Sequence, residues 1–372
     1  MKNYEEIHVW DFPNTVYFSF APSAREEYFN KIYSFYSSKR KAALALGVHL
    51  KTIRNYECAF SIKFGVKHPQ YIPVAFLKRT LSIFDLSVLS KLEQNIVAIS
   101  VRNGLDVKNP KLPICESPYL YKVIAHVIAD GSASQRSTPY YANSCKELRE
   151  NFKTYLKIFG DAEISEQDFR TVIGVRFPKV ITDIASKAFD VRFTYPDRLP
   201  KTIFTAPFEC QSAFLQALFD DEGTISTNLA IGIHNLNIMN EIKQLINLLG
   251  IKTGPVMIHP YQHKMDKVTL RVPKSEYVKF KERIGFSHPE KVRKLDLAIQ
   301  TMNRVQRTRD PSFIEQEILE LLQLGSLRTL DLANTLQFTI TGIIPHLNRM
   351  LANGQIIKQG YRNRFVWAFN TP

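Results

Sequence analysis

VIAHVIADG (residues 123–131) and LQALFDDEG (residues 215–223) decide how this chain is read. Each is an apolar run at helical spacing that ends in an acid, Asp130 or Glu222, followed by glycine. An acid is unfavourable there, because a helix C-terminus carries partial negative charge. Gly131 and Gly223 suit the left-handed backbone that ends many helices. One such acid is a chance event in an ordinary capped core helix. Two in matching positions imply something positive between them. A divalent cation is the natural candidate, since hard cations take carboxylate oxygens.

The likeness continues downstream. A polar, β-prone run over 132–144 follows the first motif, and a strand-like run over 224–235 follows the second. Amphipathic helices are predicted over 146–159 and 240–249, ending at Gly160 and Gly250. VRFPK (175–179) and LRVPK (270–274) then precede helices predicted over 180–189 and 275–284. Both segments read helix, two strands, helix, strands, helix, and self-similarity of this kind marks a duplicated unit. The alternating strand patterns predict antiparallel sheets with one wet face. The fold class expected is α+β.

The two motifs, about 90 residues apart in one basic chain, resemble those of the LAGLIDADG homing endonucleases of the single-chain type. The resemblance covers 119–303 and implies two αββαββα halves, 119–200 and 201–303, related by a pseudo-two-fold axis. It implies that the motif helices pack side by side, with small residues letting the backbones approach. Ala125, Ala129 and Ala217 match those small positions, and Asp221 departs from them. It implies that Asp130 and Glu222 hold magnesium (Mg2+) at the scissile phosphates. It further implies that the sheets form a curved, positive saddle on double-stranded DNA. Family members often place a lysine near the metal-bound water. Lys291 or Lys294, in IGFSHPEKVRKL (284–295), matches it loosely, with His288 nearby, and Lys291 completes the expected catalytic set. Lys179 and Lys274 recur in both halves, and all these lysines could equally line a phosphate track. Ser132, Ser134 and Arg136, their counterparts Thr224, Ser226 and Asn228, and the matched Arg176 and Arg271 are candidates for contact with DNA.

Composition agrees with an anionic partner. The 372 residues carry a formal charge of +14, with a pI near 9.5. Such an excess speaks to partners rather than fold, and neutralising phosphates releases counterions. No apolar run reaches the roughly 20 residues that span a bilayer. MKNYEEIHVWDF lacks the apolar core of a signal peptide, so a cytoplasmic location is expected. Cys58, Cys115, Cys145 and Cys210 show no metal-ligand spacing and read as small packing residues.

Two flanking units complete the chain. Residues 1–110 read as mostly helical, with helices expected over 71–84 and 86–99. KRKAALALGVHLKTIRNYE (39–57) resembles a helix-turn-helix, with Gly47 in the turn and His49, Lys51, Thr52, Arg54 and Asn55 towards DNA. An ordinary helical hairpin with a basic face has the same pattern. The prolines at 110, 113 and 118 predict a linker over 106–118. Residues 312–372 read as three helices and a two-stranded hairpin, the order of a winged helix with Arg362 and Arg364 on the wing. A protein-interaction module shares that order.

The function these features imply is a monomeric, site-specific double-strand DNA endonuclease. The alternative is a non-cleaving, DNA-binding transcriptional regulator on the same fold, which the helix-turn-helix modules favour. An RNA-binding maturase is a further option, because charge cannot separate DNA from RNA.

Overall fold

The computed structural model describes residues 6–370, apart from 64–65, 103, 135–136, 170, 227, 261–266, 303–309 and 361–364. Arg136, Arg362 and Arg364 therefore lie outside the described residues. The architecture is mixed α+β, with most of the core in one cluster from Ile7 through Leu295.

The N-terminal part comprises β1 (Glu6–Ile7), β2 (Val16–Phe20), α1 (Pro22–Tyr36), α2 (Lys39–Ala45) and α3 (Leu50–Glu57). It continues with β3 (Phe60–Lys63), β4 (Val66–Pro69), β5 (Ile72–Pro73), α4 (Val74–Thr80), α5 (Leu86–Gln94) and β6 (Ile96–Val101). Helices predominate after the early strand β2, but two of the expected helices are shorter. The helix expected over 86–99 stops at Gln94, and IVAISV becomes β6, paired with β2. β-Branched residues packed on both faces of a central strand explain the difference. The helix expected over 71–84 shrinks to α4 and a 3-10 turn behind β5.

The proline-rich segment is not a free linker either. It contributes β7 (Val107–Lys108) and β8 (Ile114–Cys115), and both Val107 and Ile114 are buried. β8 pairs with β1. A five-stranded sheet in the order β11-β7-β6-β2-β5 takes its edge strand, β11 (Asp161–Ala162), from the first motif-bearing segment. The first 110 residues thus share a sheet with that segment.

The first motif-bearing segment runs α6 (Pro118–Ala129), β9 (Gly131–Ser132), β10 (Tyr140–Asn143), α7 (Lys146–Leu156), β11, β12 (Ser165–Asp168), β13 (Ile173–Arg176) and α8 (Lys179–Phe189). Then come α9 (Phe208–Glu222), β14 (Gly223–Ile225), β15 (Leu229–Ile233), α10 (Leu236–Leu248), β16 (Val256–His259), β17 (Lys267–Val272), α11 (Tyr277–Arg283) and α12 (Pro289–Met302). The sheets of the two segments are β12-β13-β10-β9 and β14-β15-β17-β16. Counted within each four-stranded sheet, both have the strand order first, second, fourth, third, and every pairing is antiparallel. In β17, Val268, Leu270 and Val272 are buried while Lys267 and Arg271 are exposed, the period-2 signature of a sheet with one wet face.

The C-terminal part is α13 (Pro311–Gln323), α14 (Thr329–Thr335), α15 (Ile340–Ala352), β18 (Ile356–Gln359) and β19 (Val366–Phe369). It has its own core of Ile314, Ile318, Leu332, Ile343, Leu347 and Trp367. Trp367 Nε1 donates to Thr329 Oγ1 at 2.8 Å, fixing the hairpin to α14. On α15 Leu351 is exposed and Met350 is buried. Among the described residues no helix is long and apolar enough to cross a membrane.

Candidate active site

Both motif helices have sequence-encoded starts. Ser117 Oγ accepts from Leu120 N to cap α6, with Pro118 at its first position, and Pro207 precedes α9. The helices pack together, and their cross-contacts give their sense. Tyr121 meets Phe214 edge-on at 6.4 Å, Lys122 Nζ donates to Gln216 Oε1 at 2.6 Å, and His126 Nδ1 lies 2.7 Å from Asp221 Oδ2. The residue numbers rise together, so the helices run parallel and end side by side. Ala125 and Ala217 are fully buried, as a close helix pair requires.

The glycines do not adopt the expected left-handed conformation. Gly223 has φ −78° and ψ 152°, and Gly131 opens β9. The chain passes directly from helix into strand. What excludes a side chain is space: a Cβ at Gly131 would lie 2.5 Å from Val127 Cα, and one at Gly223 2.4 Å from Phe219 O.

Four carboxylates meet at this end, and they divide into two kinds. Asp220 Oδ1 accepts from Ser287 N at 2.8 Å and His288 N at 2.9 Å, at the start of α12. Asp221 is committed as well, to His126, to Tyr141 Oη at 2.7 Å and to Asn143 Nδ2 at 3.1 Å. The His126 and Asp221 side chains are 1% and 0% exposed. Asp221 is thus no mere departure from a small residue but half of a buried polar lock between the helices. Asp130 and Glu222 differ. Asp130 receives one long hydrogen bond, from Asn143 Nδ2 at 3.2 Å. Glu222 has no hydrogen-bond partner among the described residues, and both are half-buried.

Their protonation reflects that lack of partners. Burial, and then the Asp221 charge, push the Asp130 carboxyl up to about 6. Burial, and then Asp130 and Asp221, push Glu222 up to about 7. Like charges without counterions resist ionisation. Lys291 opposes both shifts, and Lys267 on β17 opposes that of Glu222. Lys291 Nζ donates to Phe219 O at 3.0 Å and Asp220 O at 2.6 Å, so its ammonium closes the C-terminus of α9. Burial lowers its pKa, and the four nearby acids raise it. Lys294 instead pairs with Glu290 at 2.7 Å on the surface.

A metal fits the donor chemistry of Asp130 and Glu222. Among the described residues no cluster of three or more His, Cys, Asp or Glu could hold an ion alone. A hard ion such as magnesium needs only one or two carboxylates, completing its shell with water and phosphate oxygens.

The other sequence candidates scatter. Arg176 pairs in register with Tyr140 and Arg271 with Ala230, at equivalent places in the two sheets, and both arginines are exposed. Asn228 and Lys274 are exposed, whereas Lys179 is tied to Asp183 at 2.6 Å. In the α2–α3 hairpin Lys51, Arg54 and Asn55 are exposed, but His49 caps α3 by accepting from Lys51 N at 3.1 Å. Only Cys210 is buried; Cys58 and Cys115 are exposed and Cys145 is half-buried, contrary to their expected packing role. Sequence reasoning missed His126, Tyr141, Asn143 and Lys267. The available signal was polar residues inside the apolar motifs, His126 in the first and Gln216, Asp220 and Asp221 in the second.

Residues 209–285 match the family model of the LAGLIDADG-like domain. Among solved structures, I-DmoI in complex with DNA and Mn is 16% identical, with a TM-score of 0.35, over 46% of this chain and 98% of that one. The homing endonuclease I-WcaI bound to its DNA recognition sequence is 13% identical, with a TM-score of 0.35, over 48% and 86%. Full-length DUF199/WhiA from Thermatoga maritima is 13% identical, with a TM-score of 0.36, over 63% and 90%. No curated protein matches the chain.

Proposed function

The chain carries a LAGLIDADG-like domain, and from that premise we propose that it is a divalent-metal-dependent, double-strand DNA endonuclease. One observation carries the reading. Two carboxylates, Asp130 with one long hydrogen bond and Glu222 with none among the described residues, stand at the adjoining ends of parallel helices, in a place where burial and mutual repulsion oppose their ionisation. Nothing about folding calls for that arrangement; a site for cations does. Asp130 and Glu222 would hold magnesium, which supplies an activated water and neutralises charge on the phosphoryl oxygens.

The chain's own groups do the rest. Asn143 steadies Asp130, and the His126–Asp221–Tyr141 lock fixes the helix ends from which both acids project. Lys291 acts as a fixed positive charge behind them, held by two carbonyls. The two sheets offer Arg176, Arg271 and Lys267 to the duplex, and the turn after β17 offers Lys274, with Arg136 expected beside them. The matched strand orders support a duplicated core over 119–303, acting as a monomer on a target that need not be palindromic. The α2–α3 hairpin is read as a helix-turn-helix, and residues 312–372 as a winged helix bearing Arg362 and Arg364.

The test is magnesium-dependent cleavage of a random duplex library by purified protein, its Asp130→Asn variant and its Glu222→Gln variant. Cleavage by the parent and loss of at least 100-fold in each variant, on the order of removing a charge-stabilising group, supports the reading. Duplex binding without cleavage by the parent would identify a non-cleaving regulator. Preference for structured intron RNA over duplex DNA would identify a maturase.

A further inference from the structure

A cleft of about 1110 Å3 lies where the N-terminal sheet meets α8 and the connection between β9 and β10. One wall comes from Tyr17 and the end of β6, with Arg102; another from α8, with Lys179 and Lys187; a third from the segment after it, with Arg192. Ala133, Ser137 and Thr138, from the connection beyond Asp130 and β9, also line it. Thr194 Oγ1 donates to Ala133 O at 3.1 Å, which ties the third wall to that connection.

The lining charges are unbalanced. Four cations face one acid, Asp183, which is already paired with Lys179. Arg192 makes only a long contact, 3.8 Å, with the exposed Asp197. Arg102 and Lys187 are exposed and have no ion pair among the described residues. Holding these charges together in the absence of a ligand costs repulsion.

The shape argues against a small anion. The volume lies at the upper end of the roughly 300–1,000 Å3 of small-molecule sites, and the cleft is open to solvent. The cations come from three separate chain segments. A track of separated cations and hydroxyls suits a chain of phosphates. Ala133 on its lining is three residues beyond Asp130, so that edge of the cleft is within about 11 Å of the first motif's acid, Cα to Cα.

We propose that this cleft takes the phosphodiester backbone of duplex DNA flanking the carboxylate site, so that the N-terminal sheet extends the footprint beyond the first half. The inference rests on the DNA reading above. It adds Arg102, Lys187 and Arg192 as phosphate contacts and makes the N-terminal part a component of the binding surface.

Salt dependence tests it. The full chain is titrated onto a long random-sequence duplex in EDTA, so that nothing is cut, at several salt concentrations. Each phosphate contact contributes about 0.9 to the slope of log K against log salt. Arg102→Ala with Lys187→Ala should therefore flatten the slope by about 2. Arg102→Lys with Lys187→Arg should restore the parental slope. Lys111→Ala with Lys157→Ala, two exposed lysines near the C-terminus of α7, should leave it parental. An unchanged slope in the first variant, with duplex binding intact, overturns the cleft and spares the DNA reading. Equal flattening by the control pair also overturns it, because any surface charge would then serve. A parent that binds no duplex overturns the DNA reading itself.

Discussion

Glu222→Gln should make the metal-free protein more stable, although it removes a proposed functional group. The carboxyl rises from an ordinary 4.5 to about 7 on folding, chiefly through burial. The folded state therefore binds the proton more tightly, and stability falls as pH climbs from 4.5 through 7. Below 4.5 the side chain is neutral in both states and carries no penalty. Above 7 the penalty is complete, at most about 3 kcal/mol at 1.36 kcal/mol per tenfold change in proton affinity. Solvent reaches part of the side chain and Asp130 shares the repulsion, so about 1–2 kcal/mol is expected. An amide of the same shape removes that term. Thermal melts of parent and variant in EDTA, at pH 8 and pH 4.5, measure it. The variant should melt higher at pH 8 and level with the parent at pH 4.5. Adding magnesium should raise the parent and close the gap. A variant no more stable at pH 8, or equally favoured at both pH values, refutes the argument that this acid is held against its own ionisation.

The same geometry sets three more outcomes. Magnesium affinity, by calorimetry, should strengthen from pH 5 to pH 8, because Asp130 and Glu222 ionise near 6 and 7 and only the charged forms bind the ion; a flat profile would count against the pair. His126→Leu leaves the buried Asp221 charge without its main partner and should cost about 3–5 kcal/mol, whereas adding Asp221→Ala should recover most of that, as read from a double-mutant cycle in urea. Gly131→Ala forces a Cβ to 2.5 Å from the Val127 backbone and should cost about 2 kcal/mol or more, seen as a lowered melting temperature; a neutral effect would show that the helix-to-strand passage has slack.

Much of the site was legible because its signals are local. An apolar helix ending in acid-glycine is a nine-residue pattern, and its recurrence exposes the repeat without knowledge of contacts. The matched VRFPK and LRVPK segments likewise find the fourth strand of each sheet. What sequence could not supply is pairing across distance. His126 and Asp221 lie 95 positions apart and are joined only by how two helices pack. IVAISV comes after a helical run with a single asparagine between them, and a short apolar run does not distinguish strand from helix. The prolines at 110 and 113 predict a break, yet Val107 and Ile114 pair with strands whose positions only tertiary structure reveals.

The lock between the motif helices also makes the two motifs non-interchangeable. His126 stands at the fourth place of one motif and Asp221 at the seventh of the other, where the sister positions hold Leu218 and Ala129. Two copies of the first half would set each imidazole against an alanine methyl. Two copies of the second would press each aspartate against leucine. Neither segment carries both partners of the contact, so the lock exists only while the two motif helices share one core.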